Sequence, residues 1–253
     1  MKKYQSRLLV NEVTHPSAKH VLVKLALEEP LPEIKAGQFV EILVENSVST
    51  FLRRPISVPY VDEARKELWL LIAVVGDGTR TLATLKAGDT LDIVFPLGNG
   101  FTIEKCRTLL VGGGVGVAPL LYAGKKIREL GGEPVFLLGA RTAADLIGMD
   151  MFRNIGQTLT TTEDGSDGEK GFVTDHSIWQ TETFDRIAVC GPKPMMAAVA
   201  KKARQLGTRC EVSLENMMAC GLGACLCCVE KTTEGNVCVC KDGPVFDIEK
   251  LYI

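Results

Sequence analysis

Apolar and polar positions alternate in short runs through the first 100 residues of the chain. Residues 21–27, 38–44, 67–75 and 90–95 are the clearest runs, and turns rich in glycine separate them. Runs of this length, spaced by turns in this way, are typical of antiparallel β-strands. A domain made only of such strands closes into a barrel or packs as a sandwich. The pattern therefore predicts an antiparallel barrel or sandwich over residues 1–100.

The pattern changes after residue 100, where short apolar strands alternate with stretches of helical periodicity. The predicted strands cover residues 108–111, 134–138 and 186–190, and the predicted helices cover 118–130 and 192–205. Strands that alternate with helices are typical of a parallel sheet covered on both faces. Residues 101–210 are therefore predicted to form an α/β domain.

The last part of the chain, residues 211–253, has little periodicity but holds six of the nine cysteines. A segment with so few apolar residues lacks a hydrophobic core of its own, and a metal centre can organise it instead. Disulfide scaffolds are the other common use of clustered cysteines, but they belong mainly to short secreted chains. We therefore predict a small metal-binding domain over this segment.

Composition and charge exclude several classes of protein. Hydrophobic residues make up 46% and charged residues 24% of the chain, and the formal net charge is -2, as in ordinary globular proteins. The chain has no basic stripe of the kind that binds nucleic acid. Its start lacks the apolar core of a secretory signal, and its most apolar run, residues 68–75, is too short to span a bilayer. We therefore expect a cytoplasmic protein without nucleic-acid or membrane partners.

A run of glycines links the first predicted strand of the α/β domain to the helix that follows it. Its members are Gly112, Gly113, Gly114 and Gly116. Glycine lets the backbone approach a phosphate closely, and the N-terminus of a helix attracts negative charge. The run departs from the usual dinucleotide fingerprint, and the next strand ends in Gly-Ala-Arg141, without an acidic residue for a ribose hydroxyl. The loop favours a pyrophosphate site, with a tight strand-to-helix turn as the alternative.

Cys190 and Gly191 stand at the carboxyl end of another predicted strand, directly before Pro192. Ligands of open α/β sheets bind at these strand ends. Cys190 and Gly112 are therefore expected to share a crevice. The alternative is a small buried cysteine followed by the start of a helix.

Two short polar segments of the first domain are candidates for a phosphate site. In residues 53–57, Arg-Arg-Pro-Ile-Ser, an arginine fork matches phosphate oxygens, and a hydroxyl three positions later suits a polar ring edge. In residues 76–79, Gly-Asp-Gly-Thr, a glycine turn precedes a second hydroxyl. The alternative is a solvated arginine pair beside an ordinary hairpin turn.

The cysteines of the last segment have a recognisable spacing. Cys220, Cys225 and Cys228 are separated by four and then two residues, which is the spacing of a plant-type 2Fe–2S site with one more distant ligand. The fourth ligand is either Cys238 or Cys240. Two glycines lie between the first two cysteines, and they allow the backbone to wrap a cluster and direct its N–H groups at the sulfurs.

A zinc site is the alternative use of these thiols. Its four ligands would be Cys225, Cys228, Cys238 and Cys240. This arrangement leaves Cys220 and the loop glycines without a role. In either arrangement the simplest role for Cys227 is that of a spare small residue.

In their order along the chain, these motifs resemble those of the ferredoxin–NADP reductase-like flavoproteins. The matching segments are residues 54–57, 78–79, 112–119 and 190–192. That family pairs an antiparallel FAD-binding barrel with a domain that binds a nicotinamide nucleotide. The resemblance implies an FAD-binding β-barrel over residues 1–100 and an NAD-binding α/β domain over residues 101–210.

The resemblance also implies roles for individual residues. The residues expected to hold FAD are Arg54, Pro55, Ile56, Ser57, Leu71, Ile72, Ala73, Gly78 and Thr79. Those expected to hold the nicotinamide dinucleotide are Gly112, Gly113, Gly114, Gly116, Cys190 and Gly191. Many relatives carry tyrosine where this chain has Ile56, so aromatic stacking on the flavin is expected to be lost there.

The C-terminal segment narrows the resemblance. Residues 215–246 look like the electron-transfer subunits of dihydroorotate dehydrogenase B, and this resemblance runs through the whole chain. Those subunits carry FAD and a 2Fe–2S cluster, and they work with a separate FMN-containing catalytic subunit, which implies a heterotetramer with two copies of each. The resemblance places the fourth cluster ligand at Cys240 and leaves Cys227 and Cys238 as bystanders, with a 2Fe–2S domain over residues 211–253.

Such a subunit converts two-electron into one-electron chemistry in pyrimidine biosynthesis. NAD+ or NADH would exchange a hydride with FAD between the first two domains, and the cluster would connect FAD to the partner's FMN at an exposed surface. The cofactors carry this chemistry, so no catalytic acid–base pair is expected. The alternatives are a small subunit of another NAD(P)H-linked oxidoreductase, of the ferredoxin:NADP oxidoreductase or sulfide dehydrogenase type, and a zinc-stabilised non-catalytic binding protein.

Overall fold

The structure is a computed structural model that describes residues 2–28 and 32–253, and it divides into two compact units. Of the described residues, the barrel unit comprises 2–28, 32–100, 215–230 and 236–244, and the parallel-sheet unit comprises 101–214, 231–235 and 245–253. The predicted boundary of a separate domain at residue 211 stays a prediction. By its contacts, the C-terminal segment is shared between the two units, because it has too few apolar residues to form a core alone.

The barrel unit is built on one antiparallel sheet of seven strands. In chain order they are β1 (Tyr4–Ser17), β2 (His20–Ala26), β3 (Phe39–Ile42), β4 (Arg54–Ser57), β5 (Tyr60–Asp62), β6 (Glu67–Ala73) and β7 (Thr90–Leu97). Their order across the sheet is β4-β3-β7-β1-β2-β6-β5. A short helix, α1 (Asp77–Leu82), follows β6.

The long first strand gives this sheet its curvature. The first half of β1 pairs with β7 and the second half pairs with β2, with register shifts along the second half. Such bulges bend a strand and increase its twist. The sheet curls until β4 approaches β6, which lies five strands away in the sheet order. Side chains alternate as the sequence predicted: Val21, Val23 and Leu25 of β2 are fully buried, whereas their neighbours are partly exposed.

The parallel-sheet unit contains a second seven-stranded sheet with helices between its strands. Its elements are β8 (Arg107–Gly113), α2 (Ala118–Glu129), β9 (Glu133–Ala140), α3 (Met149–Ile155), β10 (Gln157–Thr162), β11 (Glu169–Lys170), α4 (Ile178–Thr181), β12 (Arg186–Cys190), α5 (Lys193–Leu206), β13 (Arg209–Ser213) and β16 (Val245–Asp247). Six of these strands run parallel, and β16 joins the edge antiparallel to β13. The predicted fold class, an antiparallel β unit followed by a parallel α/β unit, is confirmed.

The strand order of this sheet determines where a ligand can bind. The order is β11-β10-β9-β8-β12-β13-β16. The chain starts in the middle at β8, proceeds outward through β9 and β10, and then returns to β12 on the other side of β8. The connections from β8 and β12 therefore leave in opposite directions, and such a switch point opens a crevice at the carboxyl ends of the strands.

The remaining elements belong to the C-terminal segment. The strands β14 (Val229–Thr232) and β15 (Gly235–Cys238) form a two-stranded hairpin, and the short helix α6 (Val239–Asp242) follows them. Among the described residues, no helix combines the length and the apolar character needed to cross a bilayer.

Candidate sites for a flavin, a nicotinamide dinucleotide and an iron–sulfur cluster

Two of the residues predicted to bind phosphate come together at the start of α1. A Cβ atom placed on Gly78 would lie 3.1 Å from Nε of Arg54 and 3.0 Å from Cγ2 of Thr50. Gly78 thus lets the side chains of Arg54 and Thr50 pack closely against the first turn of α1, which places a guanidinium, a suitable partner for a phosphate, beside the N–H groups of that turn. Thr50 was not among the predicted residues, because it lies in the loop before β4 and belongs to no motif.

Thr79 has a different position from that of a direct phosphate ligand. Its hydroxyl accepts hydrogen bonds from the N–H groups of Val75 (2.9 Å) and Gly76 (3.0 Å), and it donates to the carbonyl of Gly76 (3.0 Å). The side chain is also buried. Thr79 therefore shapes the turn that presents the N–H groups at the start of α1, and its own hydroxyl is already engaged.

The two adjacent arginines, Arg53 and Arg54, have separate roles. The guanidinium of Arg53 pairs with the carboxylate of Asp92 at 2.6 Å and donates to the carbonyls of Glu41 (3.3 Å) and Asp92 (3.1 Å). Burial raises the pKa of Asp92, but the hydrogen bonds from Arg53 and Gln5 bring it below its usual value overall. Arg53 thus ties β4 to β3 and β7, and only Arg54 lies beside Gly78.

We expect these two arginines to give different phenotypes when each is replaced by alanine. Arg54→Ala should weaken FAD binding about tenfold to a hundredfold, because a charge-assisted hydrogen bond contributes about 1.5–3 kcal/mol. Arg53→Ala should lower the melting temperature and leave the FAD dissociation constant nearly unchanged. Fluorescence titration of the apoprotein with FAD measures both constants. Equal losses of affinity in the two variants would contradict the assignment.

The apolar residues predicted to line the flavin divide between two faces of β6. Ile72 is fully buried in the core, so only its backbone is available to a ligand. Leu71 and Ala73 point to the opposite face, and Ala73 is partly exposed. On β4, Pro55, Ile56 and Ser57 are all partly exposed. A planar ring system that contacts this region would therefore meet β4 and the face of β6 that carries Leu71 and Ala73.

The glycine loop of the parallel-sheet unit lies at the switch point. Gly112 at the end of β8 is paired directly with Cys190 at the end of β12. A Cβ atom on Gly116 would lie 2.6 Å from both N and Cα of Gly191 and 2.7 Å from the carbonyl carbon of Cys190. The two loops therefore touch backbone to backbone, which only glycine permits. The structure brings together the two glycine segments that the sequence analysis singled out separately.

A methionine supports this contact from the side. A Cβ atom on Gly113 would lie 2.6 Å from Sδ of Met195, and one on Gly191 would lie 2.6 Å from its Cε. Met195 belongs to the first turn of α5, so it links that helix to both loops. Met195 could not be identified from the sequence, because a methionine in the first turn of a helix belongs to no motif.

The loop from Cys220 to Cys228 directs backbone N–H groups at sulfur atoms. Leu222 donates to Sγ of Cys220 (3.4 Å), Gly223 donates to Sγ of Cys240 (3.1 Å), and Cys240 itself donates to Sγ of Cys228 (3.4 Å). Such donors stabilise thiolates, which are the form that binds iron. Three of the four predicted cluster ligands thus lie within a single network of N–H···S hydrogen bonds.

The thiols of this network differ in acidity. Burial raises the pKa of Cys220, but the N–H groups of Leu222, Cys225 and Ala224 and the Cys225 thiol outweigh it and lower the pKa to about 6. The pKa of Cys240 is raised to about 12, first by burial and then by the neighbouring Cys228. Iron competes with protons for these sulfurs, so bound iron would hold them as thiolates.

Cys238 has surroundings that do not favour a thiolate. Its Sγ lies 3.8 Å from the carbonyl oxygen of Gly223. Burial raises the pKa of Cys238 as it raises that of Cys240, so the two thiols differ in their hydrogen-bond partners and not in the direction of their pKa shifts. Cys225 and Cys227 are both exposed. In the part of the chain that the structure describes, no three His, Cys, Asp or Glu side chains are gathered closely enough to hold one metal ion. A 2Fe–2S cluster instead needs two pairs of thiols, one pair for each iron.

The cysteine loop packs on the sheet of the barrel unit. A Cβ atom on Gly221 would lie 2.7 Å from Cγ of Glu41 and 3.1 Å from Cδ1 of Leu97. Gly221 also has a φ of 65°, in the left-handed region that favours glycine. The later part of the segment is held by Asn99, whose amide donates to the carbonyls of Lys241 (3.3 Å) and Asp242 (3.0 Å). These contacts explain why residues 236–244 belong to the barrel unit.

Comparison with protein-family models identifies two parts of the chain. Residues 215–252 match the iron–sulfur cluster binding domain of dihydroorotate dehydrogenase B, and residues 110–201 match the oxidoreductase NAD-binding domain. The first match covers the cysteine loop, and the second covers the glycine loop and Cys190. Both matches agree with the geometry described above.

Solved structures show the same architecture. The chain superposes on a structure of the NADH-dependent reduced ferredoxin-NADP oxidoreductase with a TM-score of 0.87 and 33% identity, covering 96% of this chain and 88% of the other. The cytochrome b5 reductase domain of Ulva prolifera nitrate reductase gives a TM-score of 0.66 at 19% identity, covering 81% of this chain and 94% of the other. The second likeness shows the fold alone.

Full-length relatives decide the family. The chain is 35% identical to the electron transfer subunit of dihydroorotate dehydrogenase B (NAD(+)) from Shouchella clausii, with full coverage of both proteins. It is 41% identical to the corresponding Bacillus velezensis protein, covering 86% of this chain and 87% of the relative, and 38% identical to that of Caldanaerobacter subterraneus, covering 98% of each. The chain therefore belongs to the family of electron transfer subunits of dihydroorotate dehydrogenase B (NAD(+)).

Proposed function

We propose that the chain passes electrons from the FMN of a separate dihydroorotate-oxidising subunit, through a 2Fe–2S cluster and FAD, to NAD+ in pyrimidine biosynthesis. This proposal rests on the packing of the loop from Cys220 to Cys228 against the sheet of the barrel unit. Gly221 rests on Glu41 of β3, and β3 pairs directly with β4, which carries Arg54. When bound, FAD supplies the exchange between a hydride and single electrons.

The barrel unit would bind FAD through the β4 strand and the start of α1. Arg54 and the N–H groups around Gly78 suit the pyrophosphate, with Thr50 beside them. The apolar contacts come from the exposed face of β4 and β6. The residues proposed for this site are Arg54, Pro55, Ile56, Ser57, Leu71, Ile72, Ala73, Gly78 and Thr79. Among these, Ile72 would contribute only its backbone, and Thr79 would act by shaping the turn.

The parallel-sheet unit would bind the nicotinamide dinucleotide at the switch point. Gly112, Gly113, Gly114 and Gly116 bring the backbone close to the pyrophosphate, and Cys190 and Gly191 form the facing wall. The backbone-to-backbone contact of Gly116 with Gly191 holds these two walls at a constant distance from each other. Such preorganisation lowers the entropy cost of holding an extended ligand.

Four cysteines are proposed as cluster ligands: Cys220, Cys225, Cys228 and Cys240. The choice of Cys240 over Cys238 has physical support in the hydrogen bonds. Sγ of Cys240 accepts an N–H from Gly223, whereas Sγ of Cys238 faces the carbonyl oxygen of the same residue. A thiolate is stabilised by the first arrangement and repelled by the second.

The partner would dock on the surface around the exposed ligand Cys225. Met217, Leu222 and Leu226, all on the same segment, expose 84%, 46% and 64% of their surface. An apolar surface beside a redox centre suits a stable subunit interface. The proposed assembly is a heterotetramer with two copies of each subunit, in the cytoplasm, where cysteines stay reduced and available to iron.

We expect a charge on this surface to weaken the complex. Leu222→Glu should lower the yield of the catalytic subunit in co-purification at least tenfold, because burial of an unpaired carboxylate costs several kcal/mol. Leu130→Glu is a matched control, since Leu130 is 55% exposed at the end of α2. The variant chains should keep the cluster and flavin spectra. A normal yield from Leu222→Glu would exclude this surface as the interface.

The function itself is tested by purification of the protein with its partner from the native cell. Recovery of an FMN protein that oxidises dihydroorotate, and NAD+ reduction by the complex, are the expected results. Recovery of a flavoprotein with several iron–sulfur clusters would overturn the proposal in favour of an NADH-dependent ferredoxin-NADP oxidoreductase, whose solved structure is 33% identical. Zinc without iron or acid-labile sulfide would overturn both.

A further inference from the structure

Glu41 is a buried carboxyl group that belongs to none of the proposed sets of cofactor ligands. It lies in the middle of β3, and its residue surface is 1% exposed. Neither of its carboxyl oxygens has a hydrogen-bond partner among the residues that the structure describes. A buried polar group without a partner typically costs about 1–3 kcal/mol, and more when it is charged.

Glu41 lies between the proposed cluster ligands and the strand of the proposed flavin site. Its Cγ and Oε1 lie 2.7 Å and 3.1 Å from the point where a Cβ on Gly221 would be, directly after the proposed ligand Cys220. On the other side, Glu41 is the cross-strand partner of Pro55 in the proposed flavin strand. The carboxyl therefore lies beneath the cysteine turn and one strand away from β4.

The charges around Glu41 do not offset the effect of burial on its carboxyl group. Burial raises the pKa of Glu41 to about 7; Arg53 and Arg54 act to lower the pKa, and the charge of Cys220 acts to raise it. Arg53 donates to the backbone carbonyl of Glu41 and pairs with Asp92. Buried carboxyl groups normally have hydrogen-bond partners. Glu67, a second buried carboxyl of the same unit, accepts hydrogen bonds from Asn11 (3.1 Å) and Trp69 (3.2 Å).

We propose that Glu41 is a positioning residue for the iron–sulfur cluster: it supports the Cys220–Gly221 turn from below and places a polar group that sets the reduction potential of the cluster. This inference rests on the proposed function. Cluster potentials depend on net charge, on hydrogen bonds to sulfur and on exposure. A protein tolerates an unfavourable buried group mainly where a function requires it.

Gly221 makes the contact between the turn and Glu41 possible. Its missing side chain lets the turn approach Glu41 to van der Waals contact, and its φ of 65° orients the turn. The loop therefore rests on the side chain of Glu41 and on Leu97. A shorter or differently charged residue at position 41 would change both the seat of the turn and the field at Cys220.

The test compares Glu41→Gln, Glu41→Leu and the control Glu67→Gln in the full-length reconstituted protein. Glu41→Gln should shift the cluster potential in the positive direction, since it removes a group that can carry negative charge and reduction of the cluster adds negative charge. Glu41→Leu should also release iron to a chelator several-fold faster. In the apoprotein, Glu41→Leu should raise the melting temperature, because an unpartnered polar group is removed.

The control should behave in the opposite way. Glu67→Gln should lower the melting temperature of the apoprotein and leave the cluster potential and the iron release rate unchanged. Unchanged potential and iron release in both Glu41 variants would overturn the assignment of Glu41 alone. A wild-type protein that binds neither iron nor flavin would instead overturn the proposed function, and the inference with it.

Discussion

Replacement of Cys240 by serine is expected to abolish the stable iron–sulfur cluster. The hydroxyl of serine remains protonated and is a poor iron ligand, whereas a thiolate is the form that binds. Cys240 is also the centre of two hydrogen bonds, since it accepts from Gly223 and donates to Sγ of Cys228. The visible absorbance of the cluster and the electron paramagnetic resonance signal of its reduced form should both be lost. Iron analysis after anaerobic reconstitution measures the number of iron atoms bound per chain.

Two neighbouring cysteines provide matched controls for this experiment. Cys238→Ser should keep the cluster spectrum, because Sγ of Cys238 faces a carbonyl oxygen. Cys227→Ser should also keep it, since Cys227 is exposed and, unlike Cys225, is not among the groups that hydrogen-bond to Sγ of Cys220. Loss of the cluster in Cys238→Ser with retention in Cys240→Ser would reverse the assignment. If the wild-type protein instead contained zinc, and Cys240→Ser lost that zinc, the 2Fe–2S assignment itself would be refuted.

Replacement of Gly116 by alanine should give the second large effect. The added methyl group would lie 2.6 Å from two backbone atoms of Gly191, and backbone cannot yield as a flexible side chain can. The glycine loop would have to move away from Gly191 by about 1 Å to restore ordinary van der Waals contact. A misplacement of about 1 Å reduces a reaction rate by about a hundredfold, so we expect a loss of this size in the rate of flavin reduction by NADH.

The neighbouring Gly114 separates close packing from general effects on the loop. Apart from its two chain neighbours, no described residue has an atom within 4 Å of a Cβ placed on Gly114, and the backbone there has a φ of 57°. Alanine in this region costs about 1–2 kcal/mol, so Gly114→Ala should reduce the rate much less than Gly116→Ala. Both variants should keep FAD at full occupancy, since the proposed flavin site lies in the other unit. Similar rates in both variants would show that the Gly116 contact is not needed.

Several elements could be predicted from local pattern because their physical causes are local. Alternation in β2 and the continuous apolar runs of β8 and β9 reflect one-sided and two-sided burial, and both are visible in the sequence. The spacing of Cys220, Cys225 and Cys228 and the glycines between them are also local, since one loop has to wrap one cluster. These features carried the prediction of two fold types and of an iron–sulfur site.

Other residues acquired a role only through contacts between distant parts of the chain. The sequence treats Arg53 and Arg54 as equivalent, but Asp92, which lies 39 residues further on, binds the first and leaves the second beside Gly78. Thr50 and Met195 belong to no motif, yet both line a predicted site. Glu41 looks like an ordinary strand residue until the cysteine loop, about 180 residues later in the sequence, packs on it.

The kinds of chemistry open to this chain follow from local features of its sequence. Residue type and spacing decide whether a loop can approach a phosphate or ligate iron, and those properties survive in any fold that keeps the loop intact. The proposal of which copies of each residue type take part rests on the tertiary structure. The switch between β8 and β12 brings Gly116 against Gly191, and the seat of the cysteine loop on β3 distinguishes Cys240 from Cys238 and gives Glu41 its place. The physical reason is that these distinctions depend on packing and on the direction of single hydrogen bonds, which residues far apart in sequence create together.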